Sequence, residues 1–187
     1  MKTSTIKPEQ GSLLISEPYL RDYYFRRSVI LLAEHNSDGS FGLIINKPLD
    51  IKLNEVILDF PDFNTNIYIG GPVQTDRLFI LHSLGRKITE SHKIMEGLYW
   101  GGKIETIKSM IEDKKISSKD IRFFIGYSGW DKSQLEKEME ALSWVVSKTK
   151  PNNFLFESPE DMWKNLLKTM GQNYAMWVYS PIDPLMN

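Results

Sequence analysis

The segment from Arg122 to Leu142, RFFIGYSGWDKSQLEKEMEAL, contains the arrangement of residues that comes nearest to a catalytic motif. A β-rich run ends in Gly-x-Ser and gives way to a helical pattern, as at the nucleophile elbow of a serine hydrolase. That elbow requires Gly-x-Ser-x-Gly, and the last position here is Trp130. Elbow hydrolases also carry their acid and histidine after the serine, whereas all three histidines precede Ser128. The elbow interpretation therefore fails.

The same residues allow a structural interpretation. Gly126, Ser128 and Gly129 are small enough to let a strand turn tightly into a helix whose first turn carries Asp131. Triads in other chain orders exist, because a triad is defined by its geometry. We predict that Ser128 is a turn residue.

Two histidines lie at predicted strand ends. His35 follows Glu34, and His82 closes the strand LFILH. A metal site requires ligands at related spacings, such as two histidines one helical turn apart, and the sequence contains no such pair. The chain has no cysteine, which excludes disulfides and thiolate ligands. We therefore expect hydrogen-bonded structural histidines, no metal and no cofactor.

Arg26 and Arg27 precede a run of apolar residues. Because successive strand residues face opposite sides, one of the two arginines is expected to lean over an interior or a pocket. A guanidinium in that position must be paired with a carboxylate or an anion. Two roles remain open for these arginines: a structural ion pair, with Glu34 as a candidate partner, and an anion-binding site.

Composition limits the class of protein. A chain of 187 residues with 41% hydrophobic and 25% charged residues is typical of a globular domain. The formal net charge is −1 and the basic residues are scattered, so we expect no direct nucleic-acid binding. The longest apolar run, Val29 to Ala33, is too short to cross a membrane, and the N-terminus lacks the apolar core of a signal peptide. We expect a cytoplasmic protein.

Hydrophobic patterning predicts the elements that position these residues. A central hairpin is expected from Val29 to Glu34 and Phe41 to Asn46, around a loop at residues 37–39. Further strands are predicted at residues 67–69, 78–82, 121–127 and 144–146, and helices at residues 53–60, 104–111, from 131 and from 159. We predict one α+β domain over residues 1–187, with residues 1–11 mobile and residues 172–187 forming a C-terminal extension.

Four blocks, FRRSVILLAEHNSDGSFGLIINKPL, YIGGPV, LFILH and GYSGWDKSQLEKE, together resemble the YqgE/AlgH family of bacterial proteins. They occur in the family's order and cover most of residues 12–170. The resemblance implies an α+β fold in which a bent, largely antiparallel sheet curls into a pseudo-barrel with helices packed outside. Some members of the family bear the label of transcriptional regulator. The resemblance supplies no catalytic residues.

The leading hypothesis is a non-enzymatic binding or regulatory protein that acts through a protein partner or a small ligand. One alternative is an enzyme with a polar pocket around Arg26 or Arg27, His82 and Ser128. Another is a protein-interaction module without a small ligand. The candidate pocket residues are Arg26, Arg27, Glu34, His35, Asn46, His82, Ser128 and Trp130.

Overall fold

The computed structural model describes residues 6–147 and 158–181 of the chain. Within these residues the strands are β1 (Leu13–Ser16), β2 (Val29–Asn36), β3 (Gly39–Ile44), β4 (Pro48–Lys52), β5 (Asn66–Ile69), β6 (Val73–His82), β7 (Ser91–Met95), β8 (Leu98–Gly101), β9 (Ile121–Asp131) and β10 (Trp144–Ser147). The α-helices are α1 (Leu53–Val56), α2 (Ile104–Glu112), α3 (Gln134–Glu140), α4 (Pro159–Thr169) and α5 (Gln172–Ala175). Short 3₁₀ helices lie at Gly85–Lys87 and Met176–Tyr179.

The ten strands form one mixed sheet that is largely antiparallel. The main path of neighbours runs β10-β1-β2-β3-β9-β6-β8-β7, and β5 joins it through a parallel pairing with β9 while β4 pairs with β5. The path ends at β10 and β7, so the described strands do not close into a barrel. The predicted α+β class and the largely antiparallel sheet are confirmed.

The hairpin of β2 and β3 is central, as its apolar sequence predicts. Alternate residues of β2 face two different clusters of buried side chains. Val29, Leu31 and Ala33 pack in the cluster that contains α4, whereas Ile30 and Leu32 pack in the cluster that contains Trp130 and Trp144. The loop is one residue shorter than predicted, because Asn36 pairs with Gly39 across the turn.

The strand β9 is longer than the sequence pattern predicts. It continues past Tyr127 to Asp131, and its last four residues pair with β3. Gly126, at φ 68°, takes the left-handed conformation inside the strand, which lets the chain change direction without leaving the sheet. The predicted turn at residues 126–129 is therefore wrong, and the turn into α3 comes at residues 131–133, where Ser133 is left-handed.

The described parts of both chain ends are packed. Residues 1–5 lie outside the described residues, but Ile6 packs against the core and the Gln10 side chain donates to the carbonyls of Lys93 and Ile94. These contacts join Ile6 and Gln10 to the rest of the fold, and the mobility expected of residues 1–11 stays a prediction. In the C-terminal extension, α5 and the following 3₁₀ helix pack on the α4 cluster, and residues 182–187 lie outside the described residues.

Replacing Gly71 by alanine should destabilise the fold by about 3 kcal/mol or more, because the new methyl group would meet the backbone of Tyr127 at a positive φ. Gly171→Ala is the matched control, since Gly171 also has a positive φ but nothing within 4 Å of the added carbon. The control should cost only about 1–2 kcal/mol. Urea unfolding of the full chain measures both, and equal losses would show that backbone contact at Gly71 is unimportant.

Candidate functional site

Ser128 lies within β9 and is fully buried. Its Oγ donates a hydrogen bond to the carbonyl of Gly70 at 3.1 Å, where β9 passes the junction between β5 and β6. The hydroxyl is therefore committed to a backbone acceptor, which explains its burial without a catalytic role.

His82 is fully buried at the end of β6. The backbone N–H of Leu84 donates to Nδ1 at 3.3 Å, so the proton lies on Nε2, which donates to Ser91 Oγ at 2.8 Å. The Ser91 hydroxyl in turn donates to the carbonyl of Ile88. Burial lowers the pKa of His82 to about 4, so the ring is neutral at physiological pH. This chain of bonds ties β6 to the start of β7.

His35 and Glu34 are half-buried residues near the end of β2. His35 Nδ1 lies 2.7 Å from Ser40 Oγ on the paired strand, so it is the hydrogen-bonded strand-end residue that the sequence predicts. The ion pairs of the described part of the chain join Lys93 to Glu96 and Lys115 to Asp113. The suggested arginine–Glu34 pair is thus not formed, because the turn before β2 directs Arg27 to other partners.

Trp130 is buried in the core near the end of β9. Its Nε1 donates to Glu138 Oε2 at 2.9 Å, and Nε1 of Trp144 donates to the same oxygen at 2.7 Å. One carboxylate of α3 therefore satisfies two buried indoles, and docks the helix on the sheet. The role of Trp130 is structural.

The pocket suggested around the arginines, His82 and Ser128 is not formed. His82 pairs with Ile121 at the start of β9, and Ser128 lies roughly 20 Å further along that strand at ~3.3 Å per residue. Ser128 pairs with Gly42 of β3, whereas His82 pairs with the start of β9, so the two side chains lie near opposite ends of β9. Arg26 and Arg27 lie elsewhere, in the turn before β2.

This turn is held by side chains from two directions. Asp22 Oδ1 accepts hydrogen bonds from the backbone N–H groups of Tyr24 and Phe25. Asn46 donates from Nδ2 to the carbonyl of Arg27 at 3.0 Å and accepts at Oδ1 from the N–H of Val29 at 2.8 Å. Asn46 thereby fixes Arg27 in a left-handed conformation, with φ 51°.

The side chains of the two arginines differ in environment. Arg26 is exposed. Arg27 is half-buried, donates to the carbonyl of Ser180, and holds its guanidinium 5.1 Å from the centre of the Trp163 ring. Arg27 thus contacts a backbone carbonyl and an aromatic ring, and it is half-buried. Its Nε is buried without a hydrogen-bond partner.

Lys47 completes a group of three cations. Its Nζ donates to the carbonyls of Tyr23 and Tyr24 at 3.1 and 2.6 Å. Burial and the charge of Arg26 lower the pKa of Lys47 to about 8, and Asp22 acts in the opposite direction. Burial and Arg26 also lower the pKa of Arg27. We call Arg26, Arg27 and Lys47 the cationic corner.

Large exposed side chains lie near the cationic corner, some because they precede it in sequence and others because Arg27 contacts their segment. Tyr19 and Tyr23 lie on the segment before the arginines and are 47% and 75% exposed. Tyr179, which is 85% exposed, precedes the Ser180 carbonyl that Arg27 binds, and Met176 on the same 3₁₀ helix is 73% exposed. Large side chains at this exposure are more typical of an interface than of a catalytic cleft.

Sequence analysis missed two cations. Lys47 stands between Asn46 and Pro48, and the signal in the sequence is a charge directly after an apolar strand. Arg122 interrupts the apolar start of β9, which is the pattern of a buried cation. The structure places Arg122 at 7% exposure, apart from the cationic corner.

Among residues 6–147 and 158–181, no group of three or more His, Asp or Glu side chains is placed to hold a metal ion. Of the helices in the described part of the chain, none has the length and apolar character needed to span a bilayer.

Comparison with known proteins identifies relatives over nearly the whole chain. A family model described as AlgH-like matches residues 13–175. A UPF0301 protein of Cytophaga hutchinsonii is 42% identical over 179 residues, covering 95% of this chain and 98% of the relative. A UPF0301 protein of Bacteroides thetaiotaomicron is 42% identical over 188 residues, covering 100% of this chain and 95% of the relative.

Two solved structures share the fold. The solution structure of the AlgH protein from Pseudomonas aeruginosa superposes with a TM-score of 0.74 at 28% identity, covering 97% of this chain and 98% of that one. A crystal structure of a Corynebacterium diphtheriae protein superposes with a TM-score of 0.79 at 21% identity, covering 95% of each chain, and shows the fold alone. None of these names states a biochemical activity.

Ser128→Ala should cost about 1 kcal/mol, the usual contribution of one neutral hydrogen bond. Trp130→Ala should cost about 3–5 kcal/mol, because a buried ring is removed and Glu138 loses a donor. Urea unfolding measures both losses. Treatment with a serine-reactive fluorophosphonate should leave Ser128 unlabelled, and a covalent adduct mapped to Ser128 by mass spectrometry would contradict the structural role.

His82 should make the fold less stable in mild acid. Its folded pKa of about 4 lies below the unfolded value near 6.5, so the unfolded state binds the proton first as the pH falls. The stability that depends on a neutral His82 ring is fully present above pH ~6.5. Roughly 3 kcal/mol of it is lost as the pH falls to ~4. The parent chain should lose more stability in this window than His82→Asn, measured by urea unfolding. A His82→Asn chain whose stability falls as steeply as the parent's between pH ~6.5 and pH ~4 would contradict this assignment.

Proposed function

The chain belongs to the AlgH-like family, and we propose that it is a non-enzymatic regulatory protein that binds an acidic segment of another protein on the cationic corner. The observation that carries this proposal is the grouping of Arg26, Arg27 and Lys47 beside exposed tyrosines. The side chains with catalytic potential, Ser128 and His82, are occupied by hydrogen bonds within the fold. Binding is therefore the function that this surface supports best.

Electrostatics favours an anionic partner. The pKa values of Arg27 and Lys47 are lowered by burial and by the charge of Arg26. Desolvation and repulsion therefore destabilise the charged form of each side chain. A carboxylate that approaches within 4 Å of one cation gains up to about 4 kcal/mol at an effective dielectric constant near 20. Asp22 supplies part of this compensation, but its Oδ1 is also bonded to the backbone of the turn.

The aromatic rim favours a protein over other anions. Tyrosine, methionine and arginine are enriched at protein interfaces, where a tyrosine offers a rigid apolar ring and a polar end. Tyr19, Tyr23, Met176 and Tyr179 provide this composition next to the cations. Nucleic-acid binding is less favoured, because the chain carries a net charge of −1 and its basic residues are scattered. Since the sequence lacks cysteine, which suits a reducing cytoplasm, we place the partner there.

Reversing the charge of Arg26 should abolish most of this binding. The probe is a fluorescent peptide of alternating Glu and Tyr, titrated into the full chain and followed by anisotropy. Arg26→Glu should weaken its binding by about tenfold or more, which corresponds to ~1.4 kcal/mol, while the fold persists because Arg26 is exposed. Arg86→Glu is the matched control, since it makes the same charge change at an exposed site.

Proton uptake provides an independent readout. Because an acidic peptide stabilises charged Lys47, binding at pH 8 should take up protons, whereas binding at pH 6 should not, as Lys47 is then already protonated. Calorimetry in two buffers of different ionisation enthalpy measures the uptake. Equal binding by Arg26→Glu, or preference for a single-stranded oligonucleotide of equal charge, would overturn the proposal.

A further inference from the structure

A second group of exposed apolar side chains lies where β4 meets α1. Ile51, Val56 and Leu58 are 38%, 46% and 87% exposed, and all three stand within residues 51–58. Neighbouring apolar side chains that remain in water are typical of a surface that another molecule covers. This group belongs neither to the cationic corner nor to the pocket suggested by the sequence.

The local structure of this segment keeps the three side chains at the surface. The side chains between and after them point inward and pack in one cluster: Leu53, Ile57, Phe60 and Phe63. The backbone N–H of Ile57 donates to the carbonyl of Leu53 at 3.0 Å, which closes the single turn of α1. Asp59 then takes a left-handed conformation, with φ 57°, and redirects the chain before Phe60. The buried residues therefore anchor the segment and leave Ile51, Val56 and Leu58 outside.

The strand β4 also lies at an edge of the sheet. Among the described strands it pairs with β5 alone. Asp50, Ile51 and Lys52 are exposed on it. Edge strands carry backbone N–H and C=O groups that can pair with an extended segment of another chain. The ladder to β5 is irregular between Pro48 and Lys52, which favours a short partner segment over a long strand.

The charges around these side chains are negative. Residues 50–62 contain four exposed carboxylates and one basic residue, Lys52; the carboxylates are those of Asp50, Glu55, Asp59 and Asp62. No ion pair among residues 6–147 and 158–181 involves these carboxylates. Lys108 lies 5.7 Å from the centre of the Phe60 ring. A second copy that presented the same surface would be repelled, so the charges favour a basic partner.

We propose that this surface binds a basic segment of a partner protein, in which apolar side chains stand between lysines or arginines. We call the surface the β4–α1 patch, and it consists of Asp50, Ile51, Glu55, Val56, Leu58, Asp59 and Asp62. The partner's apolar side chains cover those of the patch, and its cations lie against the four carboxylates. Apolar burial supplies most of the binding energy, whereas the charges select the partner. The cationic corner requires a partner of the opposite charge.

The probe for this patch is a fluorescent peptide of alternating Lys and Tyr, titrated into the full chain and followed by anisotropy. Glu55→Lys should weaken its binding by about tenfold or more, because the change replaces an attraction by a repulsion at an exposed site. Glu136→Lys is the matched control and should bind like the parent. Glu136 is also exposed and also lies in the first turn of a short helix.

A second pair of variants tests the apolar contact. Leu58→Ser should weaken binding by about threefold or more and leave the fold intact, because this side chain is 87% exposed. Leu142→Ser, at another exposed leucine, is the control and should bind like the parent. Equal weakening by Glu55→Lys and Glu136→Lys, or full binding by Leu58→Ser, would overturn the proposal, since net charge alone would then explain the binding.

Sedimentation of the full chain tests the alternative occupant. Self-association that Glu55→Lys and Arg26→Glu both abolish would identify a second copy of this chain on the patch, and would also overturn the proposal. The acidic peptide should bind Glu55→Lys no more weakly than it binds the parent, because Glu55 is not part of the cationic corner. The two proposals can therefore fail separately.

Discussion

The close passage of β9 against the junction between β5 and β6 constrains the rest of the structure. Gly70, Gly71 and Gly126 meet there with no room for a side chain, since a carbon added to any of them would meet backbone. This contact lets β9 pair with β5, β3 and β6 along its length. Both hydrophobic faces of the sheet depend on those pairings, because Phe123 and Phe124 of β9 pack in different clusters.

Several buried polar side chains also serve to join elements of the fold. Ser128, His82, Asn46 and Glu138 each satisfy buried donors or acceptors where two elements meet, and removing any of them would leave a partner unsatisfied. Groups of this kind resemble catalytic residues in a sequence, since both are polar residues next to apolar strands. The residues of the cationic corner, by contrast, lie in the turn before β2 and in the connection between β3 and β4, where the backbone sets their positions.

Local patterns predict the elements whose stability is local. The sequence predicts the β2–β3 hairpin and the helix α4, because in each of them the hydrophobic periodicity, the turn residues and the terminating residues indicate the same element. The extent of β9 was not predictable, since pairing with the distant β3 overrides the turn propensity of its glycines. Of the candidate site, the sequence indicated Arg26 and Arg27 through their position before a buried strand. It could not place Lys47 beside them, because that proximity arises only when the hairpin folds back through Asn46.

The pairing of β1 with β10 has a consequence for synthesis on the ribosome. Leu13 pairs with Ser147, so β1 must wait for a partner strand that is synthesised roughly 130 residues later. At about 5–20 residues per second, that edge stays unpaired for many seconds after β2 and β3 have been made. During this interval Leu14 and Ile15, both buried in the finished protein, lack their outer neighbours. The outer edge of β1 therefore stays open to pairing with another chain until β10 has been synthesised.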